Sequence, residues 1–152
     1  MKRKHIAVLL SICITILLAG CGQAAMESKA DEKIKVGIML SDVGLGDQSF
    51  SDSAFGGLIK SRDELGILFD YREIKDTGTY ELGLTELVEE GNDLVIGLGF
   101  MVQEDLEKTA KKYPKQKFIL IDAISELDNI TSITFKEDEG SFLAGVVAAM
   151  TS

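Results

Sequence analysis

The chain has 152 residues, with 25 acidic and 16 basic side chains and a formal net charge of −9 at pH 7. This acidic balance argues against nucleic acid as a partner, because phosphate backbones are bound by lysine and arginine. The length is sufficient for one domain with its own core, or for part of a larger protein.

The first 20 residues have the pattern of a secretory signal peptide. The basic stretch MKRKH precedes an apolar segment, residues 6–20, that is short for a membrane span. The sequence LLAGC, which ends at Cys21, is typical of a bacterial lipobox, in which the chain is cleaved before the cysteine and lipid is attached to its sulfur. The alternative is an uncleaved N-terminal anchor. We predict a lipoprotein on the extracytoplasmic face of the cell membrane, because the cysteine lies where that processing needs it.

Removal of this segment changes the inventory of reactive side chains. His5 and Cys13 leave with the signal, and Cys21 becomes the lipid anchor. The mature chain then lacks the residues of a Cys/His zinc site, a histidine-based triad and a disulfide framework. The remaining carboxylates, lysines and hydroxyls form no convincing catalytic constellation, and we predict no metal, no cofactor and no enzyme activity. Residues 21–33 are predicted to tether the domain to its lipid.

From Ile34 onward the sequence alternates between strand and helix patterns. In chain order, strands are predicted at 34–40, 66–74, 93–100, 118–121 and 130–135, and helices at 49–64, 79–90, 101–113 and 140–150. The apolar residues expected on the buried faces of the first two helices are Phe50, Ala54, Leu58, Ile59, Leu82, Leu84, Leu87 and Val88. This alternation predicts an α/β fold, a doubly wound parallel sheet with helices on both faces.

The closing helix is apolar on several sides, through Phe142, Leu143, Val146, Val147 and Met150. A terminal helix with one solvent-exposed face should be amphipathic. The pattern leaves two alternatives open. Either a partner surface covers this helix, or the helix packs in a groove of its own domain.

Ligands of open parallel sheets bind beyond the carboxyl ends of the strands. The residues at these positions are carboxylates, hydroxyls, glycines and aromatic rings, without a basic residue to hold a phosphate. The candidate site residues are Asp42, Ser49, Phe50, Gly99, Phe100 and Asp122. Carboxylates accept hydrogen bonds from hydroxyl and amine groups, and aromatic rings stack on flat ligands. A nucleoside fits this description, and a sugar fits it in part.

Each candidate also has a purely structural alternative. In that interpretation Asp47 or Ser49 caps the following helix, Phe50 and Phe100 pack in the core, and Asp122 is a solvated residue at a strand end.

A dinucleotide-binding turn is not favoured. Gly44 and Gly46 satisfy only the first half of G-x-G-x-x-G, because Ser49 occupies the third glycine position. The acidic residue expected after the second strand is matched by Asp70 or Glu73, but a chain this acidic supplies such a match by chance.

Three stretches resemble, in order and spacing, the basic membrane protein family. They are VGIMLSDVGLGDQSFSDSAFGGL, GNDLVIGLGFMVQEDLEKTAKKYPKQKFILIDA and NITSITFKEDEGSFLAGVVAAM. The family consists of lipid-anchored substrate-binding proteins of bacterial ABC transporters, and characterised members bind nucleosides. The resemblance covers residues 34–152. It implies a type I periplasmic-binding fold, in which two lobes close on the ligand.

The resemblance also implies roles for the candidate residues. Asp42, Ser49 and Phe50 match the family's first binding turn, Gly99 and Phe100 match its glycine-aromatic turn, and Asp122 matches a carboxylate at a strand end. In such members the aromatic residue of the first turn stacks on the base, and aspartates hold base or ribose. The chain departs from the family pattern at Gly46, where an acidic residue is usual, and at Ser51, where asparagine is usual.

The family's members are roughly twice as long as this chain. Residues 34–152 are therefore expected to form the N-terminal lobe, with no C-terminal lobe in the chain. One lobe supplies half a pocket, so we expect weak or no ligand binding by this chain alone. The predicted partners are a nucleoside-like molecule and an ABC transporter permease. The alternative is a surface or regulatory lipoprotein with the same fold and no role in transport.

Overall fold

The computed structural model describes residues 33–151. The predicted signal peptide, Cys21 and residues 22–32 of the predicted tether lie outside the described residues. The strands are β1 Lys35–Met39, β2 Leu68–Arg72, β3 Leu94–Leu98, β4 Lys117–Ile121 and β5 Ile130–Ile133. The helices are α1 Phe50–Leu65, α2 Ile74–Thr77, α3 Tyr80–Glu89, α4 Gln103–Lys112 and α5 Glu137–Thr151, with a 3-10 turn at Phe100–Val102. No helix in this part of the chain is long and apolar enough to cross a membrane.

The five strands form one parallel sheet in the order β2-β1-β3-β4-β5. This is a doubly wound order, in which the direction of winding reverses between β1 and β3. The predicted α/β fold with a parallel sheet is therefore confirmed. The reversal matters for function, because the loops that follow β1 and β3 separate at that point and leave a crevice.

Each face of the sheet is covered by helices. On one face, α1 contributes Leu58, which packs with Val36 and Ile38 of β1. On the other face, α3 and α4 contribute Leu84, Leu87 and Leu106, which pack in a cluster with Met39, Val95 and Phe118 of the sheet. Alternate residues of β1 thus point to opposite cores, as the period of a strand requires.

The predicted elements agree with the structure apart from their ends and two short additions. Sequence patterns showed no sign of α2 or of the 3-10 turn, which are both too short to have a periodicity. The prediction that Leu82 is buried was wrong, since its side chain is 48% exposed. The buried face of α3 consists of Tyr80, Gly83, Leu84 and Leu87. Leu82 lies about 200° around the helix from Tyr80 and so faces outward.

Helix α5 buries none of its residues. Phe142, Leu143 and Met150 are 71%, 63% and 81% exposed. Of the two alternatives left open by the sequence, packing in a groove of the same domain is wrong for the described residues. The helix presents an apolar surface, as expected if this surface belongs against a partner.

Candidate functional site

The carboxyl ends of β1, β3 and β4 surround a cleft of about 440 Å³. All six candidates from the sequence line this cleft. The lining residues are Ser41, Asp42, Val43, Asp47, Ser49, Phe50, Leu98, Gly99, Phe100, Met101 and Asp122. The cleft lies at the point where the winding of the sheet reverses, which is where ligands bind in this class of fold. Its described lining includes three carboxylates and no basic side chain.

Asp47 caps helix α1. Its Oδ1 accepts hydrogen bonds from the backbone N–H groups of Ser49 (2.8 Å) and Asp52 (3.1 Å), and its Oδ2 accepts one from Ser51 (2.8 Å). These bonds, led by the one from Ser51, outweigh burial and lower the pKa of the Asp47 carboxyl below its ordinary value. The structural alternative is therefore confirmed for Asp47, which satisfies three of the free N–H groups around the start of the helix.

Ser49 directly precedes α1, but its side chain makes no capping hydrogen bond. The side chain is exposed and lines the cleft. The capping alternative is therefore wrong for Ser49, and its hydroxyl is available to a ligand.

A second set of bonds shapes the turn between β1 and α1. Asp52 accepts hydrogen bonds from the backbone N–H groups of Gly46 and Gln48, at 2.8 and 2.9 Å. The hydroxyls of Ser41 and Ser51 are 2.6 Å apart. The hydroxyl of Ser51 therefore joins the segment that follows β1 to the first turn of α1.

Phe50 packs partly in the core, and it is also placed at the cleft. Its side chain is partly buried and packs against the cluster formed by β1 and α1, and it also lines the cleft. Phe100 is 68% exposed, so the alternative that it packs in the core is wrong. The two rings therefore offer aromatic surface from different strand ends to the same volume.

Asp122 lies at the end of β4 with φ of 65°, in the left-handed region. Its N–H donates a 2.8 Å hydrogen bond to the carbonyl of Ile133, which fixes the backbone to β5. The pKa of the Asp122 carboxyl is raised, first by burial. The neighbouring Glu137 carboxylate raises it further, through a side-chain hydrogen bond and through charge repulsion. The residue is exposed, as the strand-end alternative expects, but it also lines the cleft.

Sequence patterns did not indicate that Glu73, which does not line the cleft, contacts the turn between β1 and α1. The sequence marks Glu73 only as a chance match to the acidic residue of a dinucleotide-binding motif. In the structure its carboxylate is buried and accepts a hydrogen bond from the backbone of Leu45. Periodicity carries no signal for such a contact, because the two residues lie on different elements. Across residues 33–151 there is no cluster of ligating side chains suited to a metal ion.

Comparison with known proteins identifies the family. Residues 34–152 match the family described as ABC transporter substrate-binding protein, PnrA-like. The chain belongs to this family. The match covers the whole fold described above, including each turn that lines the cleft.

Curated relatives are identical to this family member at about a third of the aligned positions. The CD4+ T-cell-stimulating antigen of Listeria monocytogenes is 33% identical over 165 residues, which cover 100% of this chain and 46% of the relative. The ABC transporter nucleoside-binding protein BmpA of Lactococcus lactis is 31% identical, covering 98% of this chain and 45% of its own length. The chain thus spans less than half the length of these relatives.

Solved structures agree with the family and the fold. A solute-binding protein of an ABC transporter system from Aeropyrum pernix K1 is 37% identical with a TM-score of 0.70, covering 76% of this chain and 32% of that protein. A fragment of a lipoprotein from Peptoclostridium difficile 630 is 31% identical with a TM-score of 0.61, covering 79% of this chain and 100% of the fragment.

Proposed function

We propose that this chain is a lipid-anchored solute-binding protein of an ABC importer, and that its cleft binds one side of a nucleoside. The observation that carries the proposal is the composition of the cleft. It combines three carboxylates with the rings of Phe50 and Phe100 and contains no described basic side chain. Carboxylates accept hydrogen bonds from ribose hydroxyls and base amino groups, and the rings stack on the base.

The charge of the cleft also selects against phosphorylated ligands. Asp42, Asp47 and Asp122 line the same volume, so a phosphate there would meet like charges without a lysine or arginine to offset them. This supports a nucleoside over a nucleotide. No nucleophile with an adjacent base lies among the described lining residues, so the cleft supports binding rather than catalysis.

The second step of the proposal is that residues 34–152 act as the N-terminal half of a two-lobed binding protein. One open side of the cleft leaves the ligand exposed, and tight binding requires burial of most of its surface. We expect the isolated chain to bind nucleosides with an affinity well below that of a complete binding protein. The apolar surface of α5 is consistent with a missing partner.

NMR of the labelled chain during titration with adenosine, guanosine and inosine tests the ligand class. We expect weak, saturable shifts at the backbone amides of Asp42, Phe50 and Phe100, with smaller shifts from AMP. Equal shifts from AMP, or saturation by a sugar but by none of the nucleosides, would show that the ligand class is wrong. Calorimetry that gives submicromolar affinity for the chain alone would contradict the half-cleft proposal.

The alternative of a surface or regulatory lipoprotein makes a different genetic prediction. Deletion of the gene should reduce nucleoside uptake if the protein serves an importer, and re-expression together with any separately encoded second half should restore it. Unchanged uptake after deletion, with no transporter subunits encoded nearby, would favour the alternative.

A further inference from the structure

The carboxylate of Glu73 links the end of β2 to the turn that carries Asp42. Glu73 directly follows β2, and its side chain is 5% exposed. Its Oε1 accepts a 2.8 Å hydrogen bond from the backbone N–H of Leu45, and its Oε2 lies 2.8 Å from Nζ of Lys75. Both oxygens of the buried charge are thus paired, which is the condition under which a protein tolerates one.

The Leu45 side chain packs against the cluster of β1 and α1, but the first half of the turn has few other hydrogen bonds. Gly44 N–H donates to the carbonyl of Ser41, a 3.1 Å bond that stays inside the turn. Within the described residues, the bond from Leu45 to Glu73 is the one hydrogen bond that joins residues 42–45 to another element. The second half of the turn, residues 46–49, is by contrast fixed to α1 by the Asp47 carboxylate, which accepts from backbone N–H groups of α1, and by the Asp52 carboxylate, which accepts from those of the turn.

Gly44 makes room for the carboxylate. It has φ of 73°, and a Cβ added to it would lie 2.2 Å from Oε1 of Glu73. Any larger residue would displace the carboxylate and break the bond to Leu45. The glycine that first suggests a phosphate-binding turn therefore serves the approach of a carboxylate from β2.

We propose that Glu73 is a positioning residue, which holds the turn in the conformation that places Asp42 on the wall of the cleft. Its importance for ligand binding rests on the proposed function, because that function makes the cleft the binding site. The residue itself is absent from the cleft lining. It acts through Leu45 and not by contact with a ligand.

The ionisation of Glu73 supports this role. Burial by itself would raise the pKa of Glu73, but the hydrogen bonds from Lys75 and from the Leu45 amide outweigh burial and lower the pKa below its ordinary value. A carboxyl whose pKa is lowered in the folded state stabilises the protein at pH values above the ordinary glutamate pKa. This stabilisation is lost as the pH falls through the lowered pKa. The link to Leu45 therefore persists through the neutral range.

NMR of the labelled full chain, without ligand, tests the link directly. In the unsubstituted protein, the Leu45 amide proton should titrate together with the side-chain carboxyl carbon of Glu73, below the ordinary glutamate pKa. Glu73→Ala should speed hydrogen exchange of the Leu45 amide about tenfold or more, as expected for loss of one hydrogen bond to a charged acceptor. Exchange at Ser51, which Asp47 holds, should change little. Glu73→Gln keeps an acceptor oxygen and should restore part of the protection.

Two controls separate this effect from general loss of stability. Glu86→Ala removes another carboxylate next to β2, one that is 3.0 Å from Arg72, and should leave the Leu45 amide unchanged. Gly44→Ala should reproduce the loss at Leu45, whereas Gly46→Ala should not, because Gly46 also has a positive φ but no atom lies within 4 Å of the position that a Cβ would take there. If Glu73→Ala fails to fold, the titration of the unsubstituted chain and the Gly44→Ala result decide the question.

The proposal is overturned if the Leu45 amide does not follow the titration of Glu73, or if Glu73→Ala leaves its exchange unchanged. An adenosine titration of the same samples tests the consequence for binding. We expect Glu73→Ala to weaken adenosine binding, measured from the shifts at Asp42, about tenfold, and Glu86→Ala to leave it unchanged. If the link to Leu45 is present but no nucleoside shifts the spectrum, the proposed function fails and the positioning of the turn by Glu73 stands.

Discussion

The Phe50 ring lies close to the side of Gly99 on which a side chain would stand, such that a Cβ added to Gly99 would be 3.3 Å from Cε1 of the ring. Gly99 follows β3 and Phe50 begins α1, so the two residues approach each other from the two sides of the crevice where the sheet reverses its winding. Gly99 has φ of 92° and ψ of 165°, a region that is essentially restricted to glycine. The backbone conformation therefore requires glycine, and the Phe50 ring leaves little room for a side chain.

Gly99→Ala should destabilise the protein by about 1–3 kcal/mol, because the new side chain enters a strained backbone region and also meets Phe50. Chemical denaturation measures the change. Gly91→Ala is the matched control, since Gly91 has φ of 76° and no atom within 4 Å of a Cβ position. We expect a smaller loss for the control, and equal losses would mean that neither the backbone region of Gly99 nor the nearby Phe50 ring adds a cost.

Phe50→Ala should weaken adenosine binding about ten- to a hundredfold, the range that corresponds to loss of one stacked base. Phe55→Ala provides the control. Phe55 is on the same helix but packs edge-on against Phe69 and Tyr71, with ring centroids 5.6 and 5.3 Å apart, and does not line the cleft. Adenosine titration should distinguish the two variants. A similar affinity for both would show that Phe50 does not stack on the ligand.

Asp47→Ala should lower Tm, because the N–H groups of Ser49, Ser51 and Asp52 would lose their carboxylate acceptor. Ser49→Ala should leave Tm nearly unchanged, since the Ser49 side chain caps nothing. Thermal unfolding by circular dichroism compares the two. A larger loss for Ser49→Ala would contradict the assignment of the cap to Asp47.

The pKa of the Asp122 carboxyl should lie above the ordinary aspartate value of 3.8. A carboxyl with a raised pKa in the folded state stabilises the protein at low pH, and this contribution is lost as the pH rises through the raised value. Glu137→Gln should return the pKa of Asp122 toward its ordinary value, leaving the part that burial causes. Carboxyl-carbon NMR measures this change.

The control for this titration is Glu139→Gln, which removes the same charge from the same helix. Glu139 pairs with Lys136 at 2.9 Å and is not among the groups that shift Asp122. If both variants change the pKa of Asp122 equally, the net charge of the helix causes the shift, and a specific interaction with Glu137 does not.

Cys21→Ala should abolish incorporation of labelled fatty acid into the chain, because the thiol is the predicted attachment point. Cys13→Ala should leave lipidation intact, since Cys13 belongs to the predicted signal peptide. Metabolic labelling followed by gel analysis measures both. Lipid on the Cys21→Ala protein would contradict the lipobox prediction.

Much of the fold could be predicted because its signals are local. The strand and helix patterns from residue 34 to residue 151 indicated the element order, and strand ends indicated the six candidate residues that line one cleft. Their roles in ligand binding stay predictions. The error at Leu82 has a physical cause. Leu82 is as apolar as Leu84, and only the angular position of α3 against the sheet shows which of them is buried.

The α/β class and the kinds of side chain at the strand ends could be inferred from the order of the amino acids, because periodicity and turn chemistry act between near neighbours in the chain. The family was indicated by the resemblance of three stretches of sequence. Three features could be recognised only in the folded structure. They are the cap of α1 by Asp47 and not Ser49, the exposure of α5, and the support of the Asp42 turn by Glu73. Leu45 and Glu73 are 28 residues apart. Such a contact depends on how β1 and β2 are paired in the sheet, and no local pattern encodes that pairing.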